Sequence, residues 1–153
     1  MLGDPRGNRS TIGRTGETPG AFAEPPIAVI DGPYDAVALS GILAWAPINL
    51  GDGVCGVDPT SACKHGTFIL GILGARTDAS IPGLCPGCRL LHVPIFVDEH
   101  APFASIEELA NAITTAVAAG ARLINLSLAI LGDDSQRYRD LAAALDYAEA
   151  RSR

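Results

Sequence analysis

The chain alternates short β-branched apolar runs with longer stretches of helical spacing, and turn residues separate them. The first run, Ile27-Ala28-Val29-Ile30, stops at Asp31-Gly32-Pro33 and reads as a fully buried strand presenting Asp31 at its carboxyl end. Residues 32–63 hold many glycines and prolines and read as irregular connection, with a short helix fitting residues 36–46. Residues 66–73 are apolar and long enough for a buried helix, which Gly74 and the polar Arg76-Thr77-Asp78 bring to an end. That places His65 at a helix N-terminus. Residues 89–96 (RLLHVPIF) predict the next strand, with Pro94 removing one ladder donor and demoting the strand end to a bulge or edge.

Ser105 followed by Glu108 has the spacing of a capping box, and Ile106, Leu109, Ala110, Ile113 and Val117 recur on one helical face up to Gly120. Residues 122–128 (RLINLSL) form a further strand, and residues 135–150 a final helix rich in Ala and Leu. Strands alternating with helices predict an α/β fold: a parallel sheet with right-handed crossovers and helices on both faces, stopping after the third strand-helix unit. In such a sheet functional groups gather beyond the carboxyl ends of the strands. Residues 1–26 mix Gly, Pro, Thr and charges without periodicity and read as a flexible leader, with a cleaved pro-segment as the rival reading. Residues 27–153 form the folded part.

The 153 residues leave room for one domain with a sizeable core, and 48% hydrophobic against 18% charged residues fits a globular chain. A net charge of -6 with only 11 scattered Lys and Arg argues against nucleic acid as a partner. No apolar run reaches the roughly 20 residues of a membrane span, and the leader lacks the apolar core of a secretory signal, so a cytoplasmic protein is expected. Cys55, Cys63, Cys85 and Cys88 permit three disulfide pairings. A chain with a core of this size has no need of such staples, so reduced thiols are expected, with no metal and no cofactor. Gly51-Asp52-Gly53-Val54-Cys55-Gly56 spells a dinucleotide fingerprint, but a turn rather than a helix follows it, so no nucleotide site is expected.

Two segments carry the candidate chemistry: AVIDGPYD around Asp31 and KHGTFILGIL around His65. They resemble the aspartate and histidine signatures of the subtilase family of serine peptidases. GLCPGCRLLHVPIF from Gly83 is similar to that family's glycine, proline and strand pattern, and ARLINLSLA from Ala121 to its substrate-binding strand. The DGP after the first strand and the CRLLHVPIF stretch look more like the cyanobactin maturation proteases than the secreted degradative enzymes. The resemblance implies a subtilisin-like endopeptidase acting on a peptide or protein substrate, with Asp31 as the orienting carboxylate and His65 as the general base. It also implies that Ser127, Leu128 and Ala129 pair with substrate backbone, with Ala129 standing where glycine is usual and narrowing that approach.

The chemistry explains the residue types. A serine hydroxyl is a poor nucleophile until a neutral imidazole takes its proton, and a carboxylate must hold that imidazole in the right tautomer. On the residues alone, an Asp ending a buried strand is more often a cap or turn former, and a lone His beside Gly more often a loop residue. Asp35 is the competing carboxylate but lies in the turn. His92 reads as a packed or edge-strand histidine, and His100 as a loop residue. No serine of this chain sits in the Gly-Thr-Ser context that the resemblance implies for the nucleophile. The chain alone is therefore expected to be inactive and to need the missing C-terminal half of the domain. The alternative is a non-catalytic peptide-binding or regulatory remnant.

Overall fold

The computed structural model describes residues 24–53, 55–96, 103–129 and 138–151. Most of the leader, His100 and residues 135–137 lie outside them. Among the described residues seven elements follow in order: β1 (Ile27–Asp31), β2 (Ile48–Asn49), α1 (Ser61–Gly74), β3 (Leu90–Pro94), α2 (Ile106–Ala118), β4 (Leu123–Leu126) and α3 (Tyr138–Arg151). The strands form one sheet in the order β2-β3-β1-β4, and every pairing is parallel. β1 is central, paired from Ile27↔Leu90 to Asp31↔Pro94 on one side and from Ile27↔Leu123 to Ile30↔Leu126 on the other.

Side-chain alternation along β1 sorts the core into two layers. Ala28 and Ile30, with Leu91, Val93 and Ile95, pack against Leu109, Ile113 and Ala116 of α2 and Ala144 of α3. Ile27 and Val29, with Leu90, pack on the opposite face against Leu70 of α1 and Leu39. Helices thus cover both faces, as the strand-helix alternation predicts. α2 begins with the predicted capping box: Glu108 N–H donates to Ser105 Oγ at 3.1 Å, and Ser105 N–H to Glu108 Oε2 at 2.6 Å. Gly120, at φ 90, takes the left-handed conformation beyond its end. Among the described residues no helix is long and apolar enough to cross a membrane.

Several expectations need correction. Residues 36–46 form successive turns, not a helix. Asp35 Oδ1 engages the N–H groups of Val37 and Ala38, Gly41 takes φ 74, and backbone bonds from Ala44 to Gly74 and from Arg76 to Ile42 tie the segment to the end of α1. The two-residue β2 in the connection before α1 was not foreseen; it is too short to show a period. α1 starts earlier than predicted, at Ser61, because Thr60 caps it by accepting from Cys63 N–H at 3.2 Å. His65 accordingly lies in the second turn of α1 and not at its N-terminus. Pro94 ends β3 inside the sheet, where the parallel pairing to β2 involves only Leu91 and His92, so its missing donor breaks no bond to that strand.

The cysteines also depart from expectation: they form two disulfides, Cys55–Cys63 and Cys85–Cys88, each with Cα atoms within bridging distance at 5.7 and 5.3 Å. Neither pairing restrains a core-building contact distant in sequence. The first ties the loop before α1 to its opening turn, and the second closes the turn that leads into β3. Core size therefore said nothing about them.

Candidate functional site

Asp31 closes β1 and points, like Val29, to the α1 side of the sheet, where it is 1% exposed. Its Oδ1 accepts from the Gly32 N–H at 2.7 Å. α1 brings His65 to the same carboxylate, with Nδ1 2.8 Å from Oδ1 and 3.0 Å from Oδ2. An ionised carboxylate can only accept, so Nδ1 carries the proton and Nε2 is left with a lone pair. The His65 side chain is 46% exposed, which keeps that lone pair accessible. Asp35, the rival carboxylate, is engaged by its own turn at 2.9 and 3.0 Å.

The approach of α1 depends on two glycines. A Cβ on Gly66 would collide with the backbone of Gly32 and Pro33, and one on Gly32 with the Ala62 carbonyl. Thr67 then secures the loop after Pro33, accepting from Asp35 N–H at 2.9 Å while donating to Cys63 O at 2.7 Å. Three consecutive residues therefore divide the work: His65 presents the imidazole, Gly66 permits contact and Thr67 clamps the facing turn.

An open cleft of about 490 Å³ runs past Asp31 and His65. Its walls include Phe96 beyond β3, Phe103 and Ile106 at the start of α2, and Ser127, Leu128 and Ala129 beyond β4. It lies at the carboxyl ends of the strands, where parallel sheets place their sites. Ser127 is held by Asn125, whose Nδ2 donates to Ser127 Oγ at 2.8 Å. The structure thus brings all five residues singled out in the sequence, Asp31, His65, Ser127, Leu128 and Ala129, to one cleft. Sequence reasoning missed the aromatic walls Phe96 and Phe103; each is a lone aromatic, and only its nearness to a predicted strand end or helix start could have flagged it. Among the described residues, no group of three or more His, Cys, Asp or Glu has the arrangement of a metal site.

His92 is fully buried beside this pair. Its Nε2 lies 2.9 Å from the Gly32 carbonyl, its Nδ1 2.7 Å from Asn49 Oδ1, and its ring meets Tyr34 edge-on at 5.0 Å between centroids. Burial holds its pKa below the ordinary imidazole value, against the opposing pull of the Gly32 carbonyl and the Asp31 charge. The native ring therefore stays neutral where the unfolded one, with a pKa of about 6.5, takes up a proton. The contribution of the neutral ring is fully present above that unfolded value and is lost as pH falls below it toward the folded pKa. The denaturation midpoint should accordingly drop on acidification from pH 7.5 to 5, and less steeply in His92→Gln, as read by urea titrations at both pH values.

Comparison with known proteins bears on these residues. The model of the Subtilase family matches residues 52–153, a span that includes His65 and the cleft wall at Ser127 but begins after Asp31. No match was found among the curated proteins. Among solved structures, the prenylagaramide maturation protease PagA is 29% identical with a TM-score of 0.65, over 82% of this chain and 42% of its own. The patellamide maturation protease PatA is 30% identical with a TM-score of 0.63, over 82% of this chain and 44% of its own. A self-cleaved protease domain of PatA is 29% identical with a TM-score of 0.56, over 80% and 45%. The chain spans less than half the length of these structures. With a family match over most of its length and the parallel α/β fold of these proteases, the chain belongs to the subtilase family.

Proposed function

We propose that residues 27–153 are the N-terminal portion of a subtilisin-like serine endopeptidase domain, preceded by a leader over residues 1–26. Asp31 acts as the orienting carboxylate and His65 as the general base. The observation that carries this reading is the 2.8 Å contact between His65 Nδ1 and a buried Asp31 carboxylate at the rim of a substrate-sized cleft. In the reaction, Nε2 of His65 takes the proton of a serine hydroxyl supplied by the rest of the domain as that oxygen attacks the peptide carbonyl. It then returns the proton to the leaving amine, and a water repeats the sequence on the acyl-enzyme. Asp31 keeps Nδ1 protonated throughout and stabilises the imidazolium. A peptide or protein substrate lies along Ser127, Leu128 and Ala129 as an added strand, with the Ala129 methyl limiting how closely its backbone approaches.

β4 favours a continuation of the sheet. It is an edge strand whose Leu123 and Leu126 are 54% and 41% exposed, whereas every residue of β1 is buried. A C-terminal half carrying the serine and oxyanion donors would cover that edge. The 153-residue chain alone should therefore give no peptide hydrolysis, whereas the domain joined to such a half should cleave unstructured peptides, as read with fluorogenic substrates. Turnover by the chain alone that vanishes in His65→Ala would overturn the inactivity of the isolated chain. A joined, folded domain that binds peptides without cleaving them would favour a non-catalytic peptide-binding or regulatory remnant instead.

A further inference from the structure

We propose that His92 is a positioning residue for the Asp31–His65 pair, holding the Gly32 carbonyl so that the Gly32 N–H stays fixed on Asp31 Oδ1. The inference deepens the catalytic reading of that pair and rests on it. Its basis is a continuous chain of contacts. His92 Nε2 meets Gly32 O at 2.9 Å, Gly32 N–H meets Asp31 Oδ1 at 2.7 Å, and Asp31 Oδ1 meets His65 Nδ1 at 2.8 Å. Gly32 is therefore gripped at both ends, its N–H by Asp31 and its carbonyl by His92.

The grip is needed because nothing adjacent replaces it. Pro33 follows and has no N–H, and Gly32 is buried under α1, which leaves its carbonyl little access to water. A carbonyl can only accept, so the neutral His92 ring carries its proton on Nε2; Asn49 Oδ1 lies 2.7 Å from Nδ1, and because two acceptors cannot pair there, the Asn49 amide is assigned with Nδ2 in that place, donating to Nδ1. The groups facing the ring are thus Asn49 from β2, nearby Asp31 at the end of β1 with the Gly32 backbone just past it, and the edge-on ring of Tyr34.

Without the Nε2 donor, the Gly32–Pro33 peptide can turn, the permissive φ and ψ of Gly32 let the Asp31–Gly32 peptide follow, and Asp31 loses its fixed orientation toward His65. The contact between Asp31 and His65 Nδ1 is then less well fixed, and its bridging proton is less protected from water. The experiment follows the His65 ring by ¹H–¹⁵N NMR in the full-length protein carrying ¹⁵N-histidine, for the wild type and for His92→Met, His92→Gln and Asn49→Ala. In His92→Met, the bridging Nδ1 proton of His65 is expected to exchange with water about tenfold faster than in the wild type, and its resonance to move upfield as the contact with Asp31 loosens. His92→Gln, whose amide reaches the same carbonyl, is expected to restore both readouts.

Asn49 is exposed, so Asn49→Ala tests the idea even where His92→Met does not fold; it frees the tautomer and should shift His65 the same way by a smaller amount. A folded His92→Met with an unchanged His65 overturns the proposal. So does an unchanged His65 in Asn49→Ala when His92→Met is unfolded. Failure of the catalytic reading is separate: it appears in the wild type alone, as a His65 with no proton shared with Asp31.

Discussion

Gly66→Ala is expected to destabilise the protein by about 3 kcal/mol, an overpacking cost large for a single methyl group. The added carbon would sit inside contact distance of the Gly32 and Pro33 carbonyls, and backbone cannot move aside as a flexible side chain can. α1 would have to lift from the sheet, drawing His65 away from Asp31. Gly71→Ala, in the same helix, is the control: its Cβ would meet nothing closer than Leu39 Cδ2 at 3.7 Å. Helix propensity alone should then make Gly71→Ala neutral or stabilising by up to about 1 kcal/mol. Urea midpoints of the two variants measure the contrast, and equal effects would mean that α1 does not approach Gly32 as described.

In the complete domain, His65→Ala is expected to lower kcat by about 10⁶-fold, and Asp31→Asn by about 10⁴-fold, with smaller changes in KM. The base is lost outright in the first variant. In the second the ring remains but the amide cannot select the Nδ1–H tautomer, so Nε2 presents a proton where a lone pair is required. The two losses should not add in the double variant, because the residues act as one unit. Single-turnover rates on a fluorogenic peptide separate this from changes in binding. A His65→Ala domain retaining more than a tenth of wild-type turnover would remove His65 from the chemistry.

Much of the architecture was legible because it is written in local patterns. The β-branched runs gave β1 and β3, and the capping box and apolar period gave α2. The Asp-Gly-Pro and His-Gly-Thr segments pointed to Asp31 and His65, and Asp31 was preferred over Asp35 because a strand end holds a side chain more rigidly than a turn. What escaped depends either on single side chains engaging nearby backbone or on contacts distant in sequence. The opening turn of α1 is Ser61-Ala62-Cys63-Lys64, with no apolar period, and only the Thr60 cap marks it. The turns at 36–46 follow from an Asp35 side chain competing for backbone donors and from ties to the far end of α1. The tight fit of Gly66 against Gly32 and the link from His92 to Gly32 join residues that only the fold brings together. The cysteine pairings follow loop geometry that composition does not encode.

The proton of the neutral His65 ring must reside on Nδ1 for Asp31 and His65 to act as a pair, and long-range ¹H–¹⁵N correlation of that imidazole reads its position directly. The predicted spectrum has a protonated Nδ1 and an unprotonated Nε2 in the wild type, changing to the opposite tautomer in Asp31→Asn. A wild-type ring already in the Nε2–H form, or one indifferent to Asp31→Asn, would contradict the account.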